Sequence, residues 1–279
     1  MAVLRHSVSV LALDQERVRE AVAALCDLAE SSRAHGEVIL TGDGQTVADI
    51  RLAGGRHLRP GARYELMEPG ATDRVTLRLR EWRRSTAIAV EQLMSAPEMS
   101  ARLAVRLASP DRPRLLEAEG RFRGAEGSGR MRRGSGKARL DLAAWWAAAG
   151  LPPGAPPVAR APATVRVRHL LGEARLYLRP RRDGDGRWLV EAAVTLRGRW
   201  LLRPVAAVAL LPAGGMLRRG FRSGVERAAE GWNEAVAELL ALSPKELRAE
   251  LTRQATEGRT QEPRDAPQDA QGPRDAEEG

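Results

Sequence analysis

Residues 6–32 read HSVSVLALDQERVREAVAALCDLAESS, and the change of period inside this stretch decides the fold class. His6, Val8, Val10 and Ala12 fall on one face and Ser7, Ser9, Leu11 and Leu13 on the other, the two-residue period of a strand. Asp14 is placed to cap a helix, and from there Val18, Val22, Leu25 and Ala29 recur at helical spacing, with Arg17, Arg19, Glu20 and Asp27 left for solvent. At the far end Phe221, Val225, Ala228, Trp232, Val236 and Leu239 form one apolar stripe along a single long helix, about Met216–Leu242. Strand-period segments fill the interval. The expected fold is α+β: a helix-grip-like curved antiparallel sheet with a long C-terminal amphipathic helix, enlarged by an insertion and enclosing an apolar cavity.

After the first helix, Glu37–Thr41 and Val47–Leu52 flank a Gly42-Asp43-Gly44 turn and predict a hairpin. Arg63–Met67, Arg74–Trp82, Thr86–Met94, Ser100–Ala108 and Arg114–Arg123 follow as strands, separated by proline, glycine or polar turns. In Arg74–Trp82, Val75, Leu77 and Leu79 alternate with Thr76, Arg78 and Arg80, as in a sheet with one dry and one wet face. Gly124–Gly136 breaks the alternation and reads as a mobile loop; Asp141–Ala149 reads as a short helix carrying Trp145-Trp146, and Leu151–Pro162 as a proline-rich connection. Val165–Leu170, Ala174–Arg179 and Arg187–Arg197 resume the strand period, the last two joined at Arg182-Asp183-Gly184-Asp185-Gly186. That makes around ten strands. Residues 1–242 then form the domain, with 124–162 as the insertion. Ser243-Pro244-Lys245-Glu246 is a capping box opening a short helix over 243–257. Residues 258–279 hold only proline, glycine, polar and charged side chains besides a few alanines and read as a disordered tail, its acids outnumbering its bases by three.

The chain has 279 residues, 43% of them hydrophobic, enough for a sizeable core, and a formal charge of +9. Only Lys137 and Lys245 are lysines among 45 basic residues, and Asn233 is the one asparagine. This is the bias of a GC-rich genome, in which arginine stands where lysine would otherwise serve, so the charge reads first as a solvated surface. With two Tyr and two Phe there is little to interleave with those cations as a base-stacking platform. Cys26, the single cysteine, falls in the apolar pattern of the first helix and reads as core. The N-terminus carries Arg5 and His6 and no signal-peptide pattern, and Val205–Leu211 is too short for the roughly 20 residues of a membrane span, so a cytoplasmic protein with no transmembrane segment is expected.

Motifs that could carry chemistry fall short on detail. Gly134-Ser135-Gly136-Lys137 has the ending of a phosphate loop, but Met131 stands where its first glycine belongs and Ala138 where a hydroxyl should hold magnesium. His6, His35, His57 and His169 show no metal-ligand spacing, and Asp183-Gly184-Asp185-Gly186 stops after two carboxylates of a calcium loop. No catalytic residue, metal site or cofactor is therefore assigned, and whether the protein is an enzyme is left open. The aromatic residues Tyr64, Trp188 and Trp200 lie on or beside inward strand faces, either as pocket wall or as core. Trp145 and Trp146 point about 100° apart on a helix, so one of them is either exposed or covers a cavity mouth.

Ser7–Ala29, Leu58-Arg59-Pro60-Gly61-Ala62-Arg63-Tyr64 and Gly198–Leu240 resemble, in that order, the opening strand and helix, the leader to the third strand and the C-terminal helix of the START-like, polyketide cyclase (SRPBCC) superfamily. The resemblance covers about a third of the chain. It implies a helix-grip fold that binds lipids, polyketides or other apolar molecules between the sheet and the closing helix. Around ten strands against the family's seven is a departure, and an elongated lipid-binding tube of two β-rich halves would explain the surplus equally well. No catalytic residue carries over. The expected ligand-binding residues are Tyr64, Leu66, Leu77, Leu79, Trp188, Val190, Val194, Phe221 and Val225, with a hydrophobic small molecule as partner and an anionic surface contact through Arg130, Arg132 and Arg133 as a further one. The alternative is a cyclase or aromatase of the same fold, which needs inward-facing acids or bases such as Glu65, Glu91 or Glu117; a third is a basic surface that binds anionic lipid or nucleic acid.

Overall fold

The computed structural model describes residues 2–67, 74–96, 99–124, 133–152, 155–156, 158–184, 186–198 and 203–257. Strand β1 (Ala2–Leu11) leads into helix α1 (Gln15–Ser31), whose start is capped by the Asp14 carboxylate accepting from the Arg17 backbone N–H at 2.7 Å. Then come β2 (Arg33–His35), β3 (Val38–Leu40), β4 (Thr46–Gly54), β5 (Arg63–Leu66), β6 (Arg74–Arg83), β7 (Ala87–Ala96), β8 (Met99–Ala108), β9 (Leu115–Gly124) and β10 (Arg133–Asp141). Helix α2 (Leu142–Ala149) precedes β11 (Ala163–His169), β12 (Gly172–Arg182) and β13 (Arg187–Gly198), and α3 (Arg203–Ala241) and α4 (Pro244–Glu257) close the chain.

All thirteen strands form one antiparallel sheet in the order β1-β13-β12-β11-β10-β9-β8-β7-β6-β5-β4-β3-β2. It is an uninterrupted meander from β2 to β13, completed by β1, which pairs with β13 from Ala2↔Leu196 to Leu11↔Arg187. The fold is α+β, a curved antiparallel sheet with a long C-terminal helix against its inner face, as the period changes predict. Alternation sorts the two faces. Leu4, Val194, Leu176, Val165, Ala138, Ala118, Val105, Val90 and Leu79 are register partners in one apolar row from β1 to β6. On the opposite face Thr76, Leu93, Arg102, Arg121, Ser135, Arg168 and Glu173 form the corresponding polar row.

Several sequence expectations are corrected. The described strands number thirteen. The stretch read as a loop at Gly124–Gly136 contains the start of β10, so Gly134-Ser135-Gly136-Lys137 is strand at the centre of the sheet; residues 125–132 of it lie outside the described residues. Its inward positions are Gly134, Gly136 and Ala138, too small to mark a strand by hydrophobic alternation, and the Phe122 ring occupies the space above Gly134, where a Cβ would come within 2.3 Å of it. The closing helix begins at Arg203 instead of near Met216. Trp200, Arg130, Arg132 and the tail over 258–279 lie outside the described residues.

The core divides in two. Val10, Leu13, Ala149, Trp188, Val190, Ala229 and Val236 pack where α3 lies on β1 and β13, and Ile39, Leu52, Ala62, Tyr64 and Leu79 pack at the other side of the sheet. Cys26 is buried as expected, and burial raises its thiol pKa. Arg17, expected on the solvent face, is buried instead: it donates to the carbonyls of Leu239 and Leu242, so α1 satisfies the C-terminal end of α3. Helix α4 starts with the expected capping box: Ser243 N–H donates to Glu246 Oε2 at 2.7 Å, and Glu246 N–H to Ser243 Oγ at 3.3 Å. It packs on α1 and β4.

Candidate functional site

The inner face holds a cavity of about 700 Å³ between β9–β13, β1, α2 and α3. Its floor is built from small inward residues, Ala118, Ala138, Ala163 and Ala192, and its rim from Trp145, Trp146, Trp188, Trp232 and Phe221. Small floor and bulky rim together leave the space open. Trp188, 7% exposed, meets Trp145 edge-on with centroids 5.8 Å apart and an interplanar angle of 69°, and Trp232 at 6.5 Å and 35°. Each indole N–H that faces the protein has a carbonyl partner: Trp146 Nε1 donates to Leu13 O at 3.0 Å and Trp232 Nε1 to Leu11 O at 2.9 Å. Leu11 N–H in turn donates to Asn233 Oδ1 at 2.7 Å, so the last residue of β1 is held on both its backbone groups by α3. Both Trp145 and Trp146 are half-buried on the cavity wall, the second bridging to Leu13, so of the two alternatives neither is left exposed.

Trp188, Val190, Val194, Phe221 and Val225 line this cavity, as the strand and helix periods predict. Tyr64, Leu77 and Leu79 do not; they line a second cavity of about 270 Å³ beneath α1, and Leu66 lines neither. The inward parity of these residues is right, but β5 sits eight strands from β13 in the sheet order and its residues line the other cavity. Of the liners outside the expected set, the floor alanines Ala118, Ala138 and Ala163 lie in β9–β11 and Ala192 in β13. The signal was a run of small residues at alternate positions.

The second cavity contains a closed hydrogen-bond chain. Ser32 Oγ donates to Ala29 O at 2.6 Å and accepts from His57 Nε2 at 2.9 Å; Tyr64 OH donates to His57 Nδ1 at 3.1 Å and accepts from Leu58 N–H at 2.9 Å. This assigns the Nε2–H tautomer from the network. Burial lowers the His57 pKa and raises that of Tyr64. The chain ties the C-terminus of α1 to Leu58, whose φ of +53° is strained for a leucine.

Of the carboxylates checked for acid–base work, Glu65 pairs with Arg51 at 2.6 Å and Glu91, 2% exposed, pairs with Arg80 and Arg102. Glu91 and Glu117 belong to the polar face, and none of the three lines an apolar cavity. Among the described residues the larger cavity is lined by no carboxylate, histidine, cysteine or lysine; Arg139 and Thr164 are its polar members besides the indoles. No cluster of metal-ligating side chains occurs among the described residues, and no described helix is long and apolar enough to cross a membrane. Asp183, in the acidic turn, accepts from Ser9 Oγ at 2.6 Å.

The sequence matches no protein-family model and no curated protein. Solved structures give faint likenesses. The di-domain ARO/CYC StfQ from the steffimycin biosynthetic pathway is 10% identical over 84% of this chain and 99% of its own, with a TM-score of 0.25. DynU16, from the dynemicin biosynthetic locus, is 12% identical over 68% and 86% with a TM-score of 0.19, and the di-domain ARO/CYC BexL from the BE-7585A biosynthetic pathway 12% over 93% and 100% with 0.17. At these scores the likeness carries no argument about activity, which rests on the cavity alone.

Proposed function

We propose that the protein binds a hydrophobic small molecule, a lipid chain or a polyketide-like ring system, in the cavity between the sheet and α3. The observation that supports this reading is the aromatic-rimmed space of about 700 Å³ with an aliphatic floor, in the size range of small-molecule sites. A cyclase or aromatase reaction needs a positioned acid or base, and the described lining supplies neither. Binding is the reading that fits.

Native mass spectrometry of the purified protein, followed by solvent extraction, tests it: an apolar molecule released from the chain is the expected result. Affinity for a series of alkyl probes should rise about fourfold per methylene until the cavity is full, since each buried CH₂ contributes about 0.8 kcal/mol. Ala138→Phe, which fills the floor from a position that has room for it, should abolish that binding and leave unfolding unchanged. A protein that arrives empty and takes up no lipophilic probe would overturn the reading.

A further inference from the structure

On the opposite face of the same strands lies a cleft of about 850 Å³, unrelated to the apolar cavity. Two adjacent cross-strand rows build it. The first runs Thr76, Leu93, Arg102, Arg121, Ser135 and Arg168, and the second Ser95, Ser100, Arg123 and Arg133, every one of them lining the cleft. Among the described residues no carboxylate lines it. Within these rows Arg102 is directly paired with Arg121, and Arg123 with Arg133. Like charges at directly opposed positions repel, and two such pairs side by side on β9 are an unusual concentration.

The surrounding carboxylates do not neutralise them. Glu91 serves Arg80 and Arg102; Glu119 serves Arg121 at 3.4 Å and Lys137 at 3.1 Å; Glu173 serves Arg166, Arg168 and Arg175. Three acids thus stand against seven cations, while Arg123 and Arg133 have no ion-pair partner among the described residues. Ser95, Ser100 and Ser135 add hydroxyls that make no side-chain hydrogen bond among the described residues. Planar guanidinium forks with hydroxyl donors between them, and no carboxylate among the described lining residues, match the oxygens of a phosphoryl group.

We infer that this cleft is a binding site for a phosphate monoester or diester headgroup, seated between the Arg102–Arg121 and Arg123–Arg133 pairs. Leu93, in the same row and 40% exposed, offers apolar contact to the carbon carrying the ester. Because the site shares no lining residue with the apolar cavity, it can be present or absent independently of the function proposed above.

The test is calorimetric titration of the full chain with butyl phosphate, with butanol as the neutral control, and co-sedimentation with phosphatidylcholine vesicles with and without phosphatidic acid. Butyl phosphate should bind and butanol should not, with affinity falling as salt rises. R123Q/R133Q should weaken it roughly tenfold or more, while uptake of a lipophilic dye by the apolar cavity stays unchanged, which shows that the variant is folded. Loss of phosphatidic-acid vesicle binding in the same variant assigns the headgroup to a lipid surface; butyl phosphate binding without vesicle binding assigns it to a soluble ester. Equal titration by butanol, or an unaltered R123Q/R133Q, overturns the proposal. So does a single-stranded oligonucleotide that binds a hundredfold tighter than butyl phosphate with the same arginine dependence, which would make the cleft a polynucleotide track.

Discussion

At the scale of the residue, Trp188 and His57 are the positions on which each half of the core depends. Trp188 is nearly buried between Trp145 and Trp232, so truncation to alanine removes two ring contacts and most of the rim at once. Trp188→Ala should cost about 3–5 kcal/mol in urea unfolding and Trp188→Phe clearly less; equal losses would show that the edge-on ring geometry is irrelevant. His57 is neutral in the fold because burial disfavours its charged form, while in the unfolded chain it titrates near 6.5. The unfolded state therefore binds the proton first. Stability from this group is complete above about pH 6.5 and is lost as pH falls from there to the lower folded value, by at most about 1.4 kcal/mol per unit. Unfolding followed between pH 7 and about 5 should show this slope in the wild type and a shallower one in His57→Gln. Tyr64 and Trp188 were both legible as inward aromatics from strand parity. What the sequence does not display is the partner: the His57–Tyr64 bond joins residues seven apart across a turn, and its distance depends on Leu58 adopting a positive φ that no propensity favours for leucine.

At the scale of the element, the closing helix is held by few polar contacts. Asn233 Oδ1 accepts from Leu11 N–H, and the adjacent Trp232 donates to Leu11 O, so one turn of α3 grips the end of β1. Asn233→Ala leaves a half-buried backbone N–H without its partner and should cost about 1–3 kcal/mol, with faster release of any probe bound in the cavity under α3. An unchanged release rate would mean that the helix does not control access. The composition pointed to this residue only as the chain's one asparagine; its strand partner lies 222 positions away and no local pattern could supply it. By contrast the capping box at Ser243 and the strand–helix switch at Asp14 were legible because they are local. β10 was not, since three small inward residues carry no hydrophobic alternation, and one of them, Ala138, is part of the open cavity floor.

At the scale of the molecule, the edge strands β1 and β2 are joined by α1 alone, and this dictates the curl of the sheet. Thirteen strands laid flat span about 58 Å from first to last, whereas the 17-residue α1 reaches about 25 Å and its short connectors add roughly 14 Å more. The edges must therefore bend toward each other around α1 and α3, and the apolar row that runs from Leu4 to Leu79 becomes the lining of a trough. Helices fill it unevenly: α3 lies over β1 and β13, α4 packs on α1 and β4, and the two core clusters and two cavities stand apart along it. A ligand in the larger cavity should consequently act on one side only. At a concentration about a hundredfold above its Kd it would add about 2.7 kcal/mol of stability, and hydrogen exchange should slow in α2, α3 and β13 while amides of β4–β6 and the end of α1 stay as they were. Protection spread evenly over both sides would mean that the trough closes as one unit when filled, and that the His57 side belongs to the same binding site.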